Sequence, residues 1–129
     1  EHLAQVNSTA FPHYRSENWL RFAARACSQH SSEVTLDYDP NITAALSSAT
    51  SGLQPEDLWA LFDTLISTPA LLIRGALSDL LDSSCAQDMQ RRHGAMEFLE
   101  VPGVGHAPML DESGVSAAII KFLSLPVVH

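Results

Sequence analysis

Apolar residues recur along this chain with two different rhythms. In the first third, Trp19, Leu20, Ala23, Ala26 and Cys27 fall at i, i+1, i+4, i+7 and i+8, one face of a helix. Ser16 can cap that helix, since its hydroxyl can accept from the free amides of the first turn. The helix is predicted to run to about Gln29, with an earlier partial helix over Glu1 to Ala10. Val34, Leu36 and Tyr38 alternate with polar residues, the period of a short strand. Asp39-Pro40-Asn41 ends it as a turn. Ile42 to Ala49 has room for one or two helical turns, and Ser47 to Gly52 is the candidate flexible link.

The second rhythm is that of alternating helices and buried strands. Pro55 starts a helix with Glu56 and Asp57 in its first turn, where carboxylates meet the positive helix end. Leu58, Leu61, Phe62 and Leu65 form its apolar face, and Thr68-Pro69 breaks it. Ala70 to Ile73 is a continuous apolar run, expected of a parallel strand covered on both faces. Asp82 or Ser83 caps the next helix, and Gly94 ends it after Arg91, Arg92 and His93, where His93 complements the dipole. Met96 to Val101 reads as a second strand. Val115, Ala118, Ile119, Phe122 and Leu123 stripe a last helix, with Asp111 and Glu112 at its start and Pro126 as its stop. The order helix, strand, helix, strand, helix predicts an α/β fold with parallel strands and right-handed crossovers.

Composition narrows the function classes. The 129 residues are 46% hydrophobic and 17% charged, a globular composition. A net charge of −8 and a pI near 5.0 argue against nucleic acid or an anionic membrane as partner. No apolar run is long enough to span a bilayer, and no stretch of these residues reads as a secretory leader, so none is expected. Cys27 and Cys85, each in a predicted helix, make no close pair and no metal pattern. They read as reduced thiols of a cytoplasmic protein. The chain opens at Glu1 in the middle of helical sequence, so a piece of a longer protein is expected.

Chemistry concentrates in two loops. In open α/β sheets, functional groups gather beyond the carboxyl ends of the strands. RGALSDLL (74–81) follows the first strand and offers Asp79; PGVGHAPML (102–110) follows the second and offers His106. If the strands are neighbours, both side chains project from one sheet edge. A carboxylate can then fix an imidazole tautomer, leaving the other ring nitrogen to take a proton from a nucleophile. The imidazole suits this because it titrates near neutrality. Asp82 competes with Asp79 and is better explained as a helix cap.

On LLIRGALSDLL and EVPGVGHAPMLDE the chain resembles the α/β-hydrolase superfamily, over roughly residues 55 to 125. The resemblance implies an incomplete α/β-hydrolase fold, a helical lid followed by strand-helix-strand-helix of a parallel sheet. Residues 1–52 would be the lid and 53–129 the C-terminal part of the core. It implies Asp79 as catalytic acid and His106 as base of an esterase-like hydrolase that needs no cofactor. The family's nucleophile elbow, G-x-S-x-G, is absent from the chain, as is an upstream oxyanion-hole loop. A complete domain of this kind needs roughly 200 residues or more. The nucleophile is therefore expected outside the chain, and the chain alone is expected to be inactive.

Trp19, Trp59, Phe62 and Leu80 are the candidate substrate-pocket residues, with simple core packing as the alternative for the aromatics. Cys85, in the first helical turn after the acid loop, lacks a base at readable spacing and reads as a small buried hydrophobe. Asp37 and Asp39 are too few for a metal site. The expected partners are a small-molecule substrate of the intact protein and, for the sheet edge, either the missing N-terminal half or a second copy of the chain. The rival reading is a non-catalytic interaction module that keeps the architecture.

Overall fold

The structure is a computed structural model that describes residues 1–31, 33–39, 41, 42, 44, 52 and 54–124. The elements in chain order are α1 (His2–Asn7), α2 (Ser16–Ala26), β1 (Cys27–His30), β2 (Glu33–Leu36), α3 (Pro55–Asp63), β3 (Leu71–Gly75), α4 (Ser83–His93), β4 (Glu97–Val101) and α5 (Val115–Leu123). β1 and β2 form an antiparallel hairpin, while β3 and β4 pair in parallel from Leu71↔Glu97 to Gly75↔Val101. The α/β alternation of the second half is thus as expected, and α4 is the crossover between the two parallel strands.

Local chemistry explains the boundaries. Asp82 caps α4 by accepting from the Cys85 backbone amide at 2.7 Å. Gly94 ends the helix at φ 69°, a conformation that suits a residue without Cβ. Asp57 accepts from the Gln54 amide at 2.9 Å and starts α3. His93 is more than the expected dipole partner. It is buried, and its Nε2–H donates to the Thr68 carbonyl at 2.9 Å, holding the segment that leads into β3. Arg92 ties α3 to α4 by bonding Asp63 at 2.8 Å and lying 4.5 Å above the Trp59 ring.

The core is small and lies between the sheet and the first third of the chain. Phe11, Val101, Val104 and Val115 are buried together, with Tyr14, Trp19, Phe22, Ile73, Leu99 and Ile119 packed around them. Phe11 stacks on Tyr14 at 4.6 Å between centroids and meets Trp19 and Phe22 edge-on at 6.2 and 6.1 Å.

Several boundaries differ from those expected. The N-cap of α2 is Arg15 rather than Ser16, because the Asn18 side chain takes the Arg15 amide at 3.0 Å. α2 stops at Ala26, and Cys27 is in a strand rather than a helix. The hairpin wins there: Ser31 turns with φ 55°, and Cys27 to His30 pair with Leu36 to Glu33. β2 ends at Leu36, short of Tyr38, and α3 ends at Asp63, before Leu65. α5 begins after Gly114 at φ 83°, so Asp111 and Glu112 precede it and do not cap it; Glu112 instead accepts from the Met109 amide at 2.8 Å. Leu71, Leu72 and Ile73 are half-buried rather than covered on both faces, and full burial is reached at Arg74 and Gly75. Most of the turns expected over 42–49, most of the link at 47–52 and the stop at Pro126 lie outside the described residues. Among the described residues no helix is long and apolar enough to cross a membrane.

The Asp82 cap has a defined pH signature. The amide of Cys85, with the Ser84 hydroxyl, holds its carboxyl below the ordinary 3.8. A carboxyl depressed in the folded state adds stability above its unfolded pKa and loses it as pH falls through the folded value. Asp82→Ala should therefore unfold at lower denaturant than the parent at pH 7, and the two midpoints should converge as pH falls through the folded value of this carboxyl. A gap that persists in acid would show that the carboxylate is not the source.

Candidate active site

The two polar loops meet at the carboxyl edge of β3 and β4. Gly75 pairs with Val101 at that edge, and the Ala76 amide donates to the Val101 carbonyl at 2.9 Å. The Leu77 amide then donates to the Val104 carbonyl at 2.9 Å, which sews the acid loop onto the histidine loop. A Cβ on Gly75 would collide with the backbone oxygens of Gly105 and Val104. One on Gly105 would lie 2.7 Å from the Ala10 Cβ, and the Gly105 amide donates to the Ala10 carbonyl. These two glycines are needed for close backbone approach and not for turn geometry.

Asp79 and His106 line one cavity of about 360 Å³ at this edge, together with Val6, Asn7, Thr9, Ala10, Leu77 and Leu80. Both side chains are exposed, and neither makes a side-chain hydrogen bond or ion pair among the described residues. The structure brings the two together at one site without an Asp79–His106 hydrogen bond. An unengaged carboxylate and an unengaged imidazole on one wall can orient and move a proton for a group that reaches the cavity.

Each loop is held from outside the cavity. Buried Arg74 donates from Nε to the Leu81 carbonyl at 2.7 Å and from Nη1 to Glu100 Oε2 at 2.6 Å. The Leu81 amide donates to the Ser78 hydroxyl at 3.0 Å. On the histidine loop, Arg25 of α2 donates to the Met109 carbonyl at 3.1 Å, and Arg25 and Arg21 lie 3.5 and 3.6 Å from the Asp111 carboxylate. Nearby, burial and then the charges of Glu112 and Asp111 hold the Tyr14 hydroxyl above its ordinary range.

Of the four candidate pocket residues, Leu80 alone is at this cavity, three-quarters exposed. Trp19 packs against the core cluster instead. Trp59 and Phe62 line a separate apolar groove between α3 and α4, with Cys85 and Met89. The reason is packing: Phe62 lies 6.4 Å from the His93 ring and Trp59 lies 4.5 Å beneath the Arg92 guanidinium, so both aromatics are engaged by α4. Asp82 is occupied as the α4 cap. Asp39 is occupied in a turn, accepting from the Asn41 amide at 2.8 Å. Among the described residues no three of His, Cys, Asp and Glu converge as metal ligands would. Sequence reasoning missed the wall built by Val6, Asn7, Thr9 and Ala10, and it missed Arg74. The only signal for Arg74 was a charge inside an otherwise apolar strand.

No protein-family model matches this chain. It is 32% identical over 127 residues to a 3-hydroxybutyrate-oligomer hydrolase of Cupriavidus necator, a match spanning 93% of this chain and 43% of that protein. The crystal structure of an alpha/beta hydrolase from Novosphingobium aromaticivorans superimposes with a TM-score of 0.79 at 36% identity, over 95% of this chain and 43% of the other. E-2-(acetamidomethylene)succinate hydrolase superimposes with a TM-score of 0.62 at 20% identity, which speaks to the fold alone. The chain thus spans less than half the length of the relatives it matches.

The glycine contact is testable by stability. Gly75→Ala and Gly105→Ala should each cost about 1–3 kcal/mol in denaturant unfolding, the usual range for overpacking. Wild-type stability in both variants would mean that the loops do not meet this closely.

Proposed function

We propose that this chain, which carries part of an α/β-hydrolase fold, supplies the acid and the histidine of a hydrolytic triad whose nucleophile lies on a segment outside these residues. The observation that supports this best is the placement of Asp79 and His106 on one cavity at the carboxyl edge of adjacent parallel strands. In this reading, Asp79 fixes the ring of His106, and His106 takes the proton of the nucleophile as it attacks the substrate carbonyl. His106 returns that proton to the departing alcohol. It then takes one from the water that attacks the acyl intermediate, so the acid leaves and the nucleophile regains its proton. Residues 1–52 act as lid and 53–129 as the C-terminal part of the core.

The substrate class we propose is an ester of a short hydroxy acid. Its support is the relative from Cupriavidus necator, which is named for 3-hydroxybutyrate oligomers, and a cavity of mixed apolar and polar wall. Both cysteines are free thiols, in keeping with a reducing cytoplasm. Leu58, Leu61, Leu65 and Ile66 are each at least half exposed, an apolar surface that we assign to contact with the rest of the fold or with a second copy. One observation favours the rival, an interaction module without catalysis: neither Asp79 nor His106 holds the other by a hydrogen bond.

Turnover separates the two. In the full-length protein, His106→Ala and Asp79→Asn should each lower kcat for a hydroxyacyl ester by about a thousandfold or more. Unchanged turnover in both would end the triad reading. The isolated chain should show no ester hydrolysis above buffer and should self-associate in light scattering at micromolar concentration. A cooperative, well-folded monomer would show that these residues close their own core.

A further inference from the structure

Arg74 is a charged side chain in a place where charge is costly. It lies on β3 and is only 6% exposed. Burying a guanidinium without partners costs several kcal/mol, so a buried arginine is retained where its donors are used. Two uses are visible. Nε–H donates to the Leu81 carbonyl at 2.7 Å, seven residues on, and Nη1–H donates to Glu100 Oε2 at 2.6 Å. Arg74 and Glu100 are register partners across the parallel pair. The side chain therefore joins the strand that precedes His106 to the far end of the loop that carries Asp79.

We infer that Arg74 is the positioning residue of the acid loop, setting where the Asp79 carboxylate stands relative to His106. The loop leaves the sheet at Gly75 and rejoins regular structure at α4. Its near end is fixed by the Ala76 amide on Val101 of β4 and by the Leu77 amide on Val104 of the histidine loop. Its far end is fixed by the Asp82 cap and by the Leu81 carbonyl on Arg74. Asp79 stands between these anchors and makes no side-chain hydrogen bond among the described residues, so its place depends on them. Glu100, half-exposed, orients the guanidinium from the neighbouring strand, and the planar fork can serve both acceptors at once. An apolar residue at 74 would fill the strand position but leave the Leu81 carbonyl unheld.

The inference rests on the triad reading, and the experiment keeps the two apart. In the full-length protein, kcat and KM for a hydroxyacyl ester are measured per folded molecule, with the folded fraction taken from circular dichroism. Arg74→Met should lower kcat on the order of a hundredfold, the cost of a misplacement of about 1 Å, and leave KM within about twofold. Arg74→Lys, which keeps charge and length but not the fork, should also lose kcat, by about tenfold. Glu100→Gln should give a smaller loss of kcat in the same direction and reports even where Arg74→Met does not fold. A residue that only stabilised the fold would lower the folded fraction and leave kcat per folded molecule unchanged. Wild-type kcat per folded molecule in Arg74→Lys and Glu100→Gln, with His106→Ala inactive, overturns the inference and leaves the triad standing. Wild-type kcat in His106→Ala overturns both.

Discussion

At the carboxyl edge of β3 two backbones run closer than a side chain would permit. Gly75 lies against the carbonyls of Val104 and Gly105, and Gly105 lies against Ala10. Three segments distant in sequence are layered there, and neither Gly75 nor Gly105 has a Cβ to hold them apart. The hydrogen bonds from the Leu77 amide to the Val104 carbonyl and from the Gly105 amide to the Ala10 carbonyl form only because of that approach. The cavity shared by Asp79 and His106 borders this contact: Ala10 and Leu77, which take part in these hydrogen bonds, also line it.

The packing beneath supports this arrangement from one side. Phe11 enters the core beside Val101, Val104 and Val115, so the residues that precede and follow the histidine loop are anchored by the first third of the chain. Arg25 and Arg21 add contacts to Met109 and Asp111, but these are exposed pairs and contribute little alone. Apolar burial therefore holds the histidine loop, while the acid loop depends on buried polar contacts.

Much of this was legible in the sequence where local rules act alone. The apolar run at 70–73, the Asp82 cap and Gly94 announced β3 and both ends of α4 because period, cap and turn chemistry agreed there. That Asp79 and His106 share one sheet edge was legible because both loops follow neighbouring parallel strands. The hairpin over residues 27–36 was half hidden, because Cys27 continues the helical stripe of α2 and only pairing with Leu36 removes it from the helix. Core packing and pocket lining stayed open as alternatives for the aromatic residues, because helical spacing tells which residues share a face, not what the face meets; Trp19 packs against the core. The role of Arg74 and of the wall from Val6 to Ala10 rests on contacts between distant segments, which single-sequence periodicity does not carry.

The central claim is that Asp79 orients the ring of His106 when the site is complete. Proton NMR of the full-length protein, with its histidines labelled with nitrogen-15, tests it most directly. A carboxylate that accepts from the ring produces a strongly deshielded N–H proton, protected from exchange with water. The account predicts such a signal for His106 and its loss in Asp79→Asn. A His106 ring proton that exchanges freely in both proteins would contradict it.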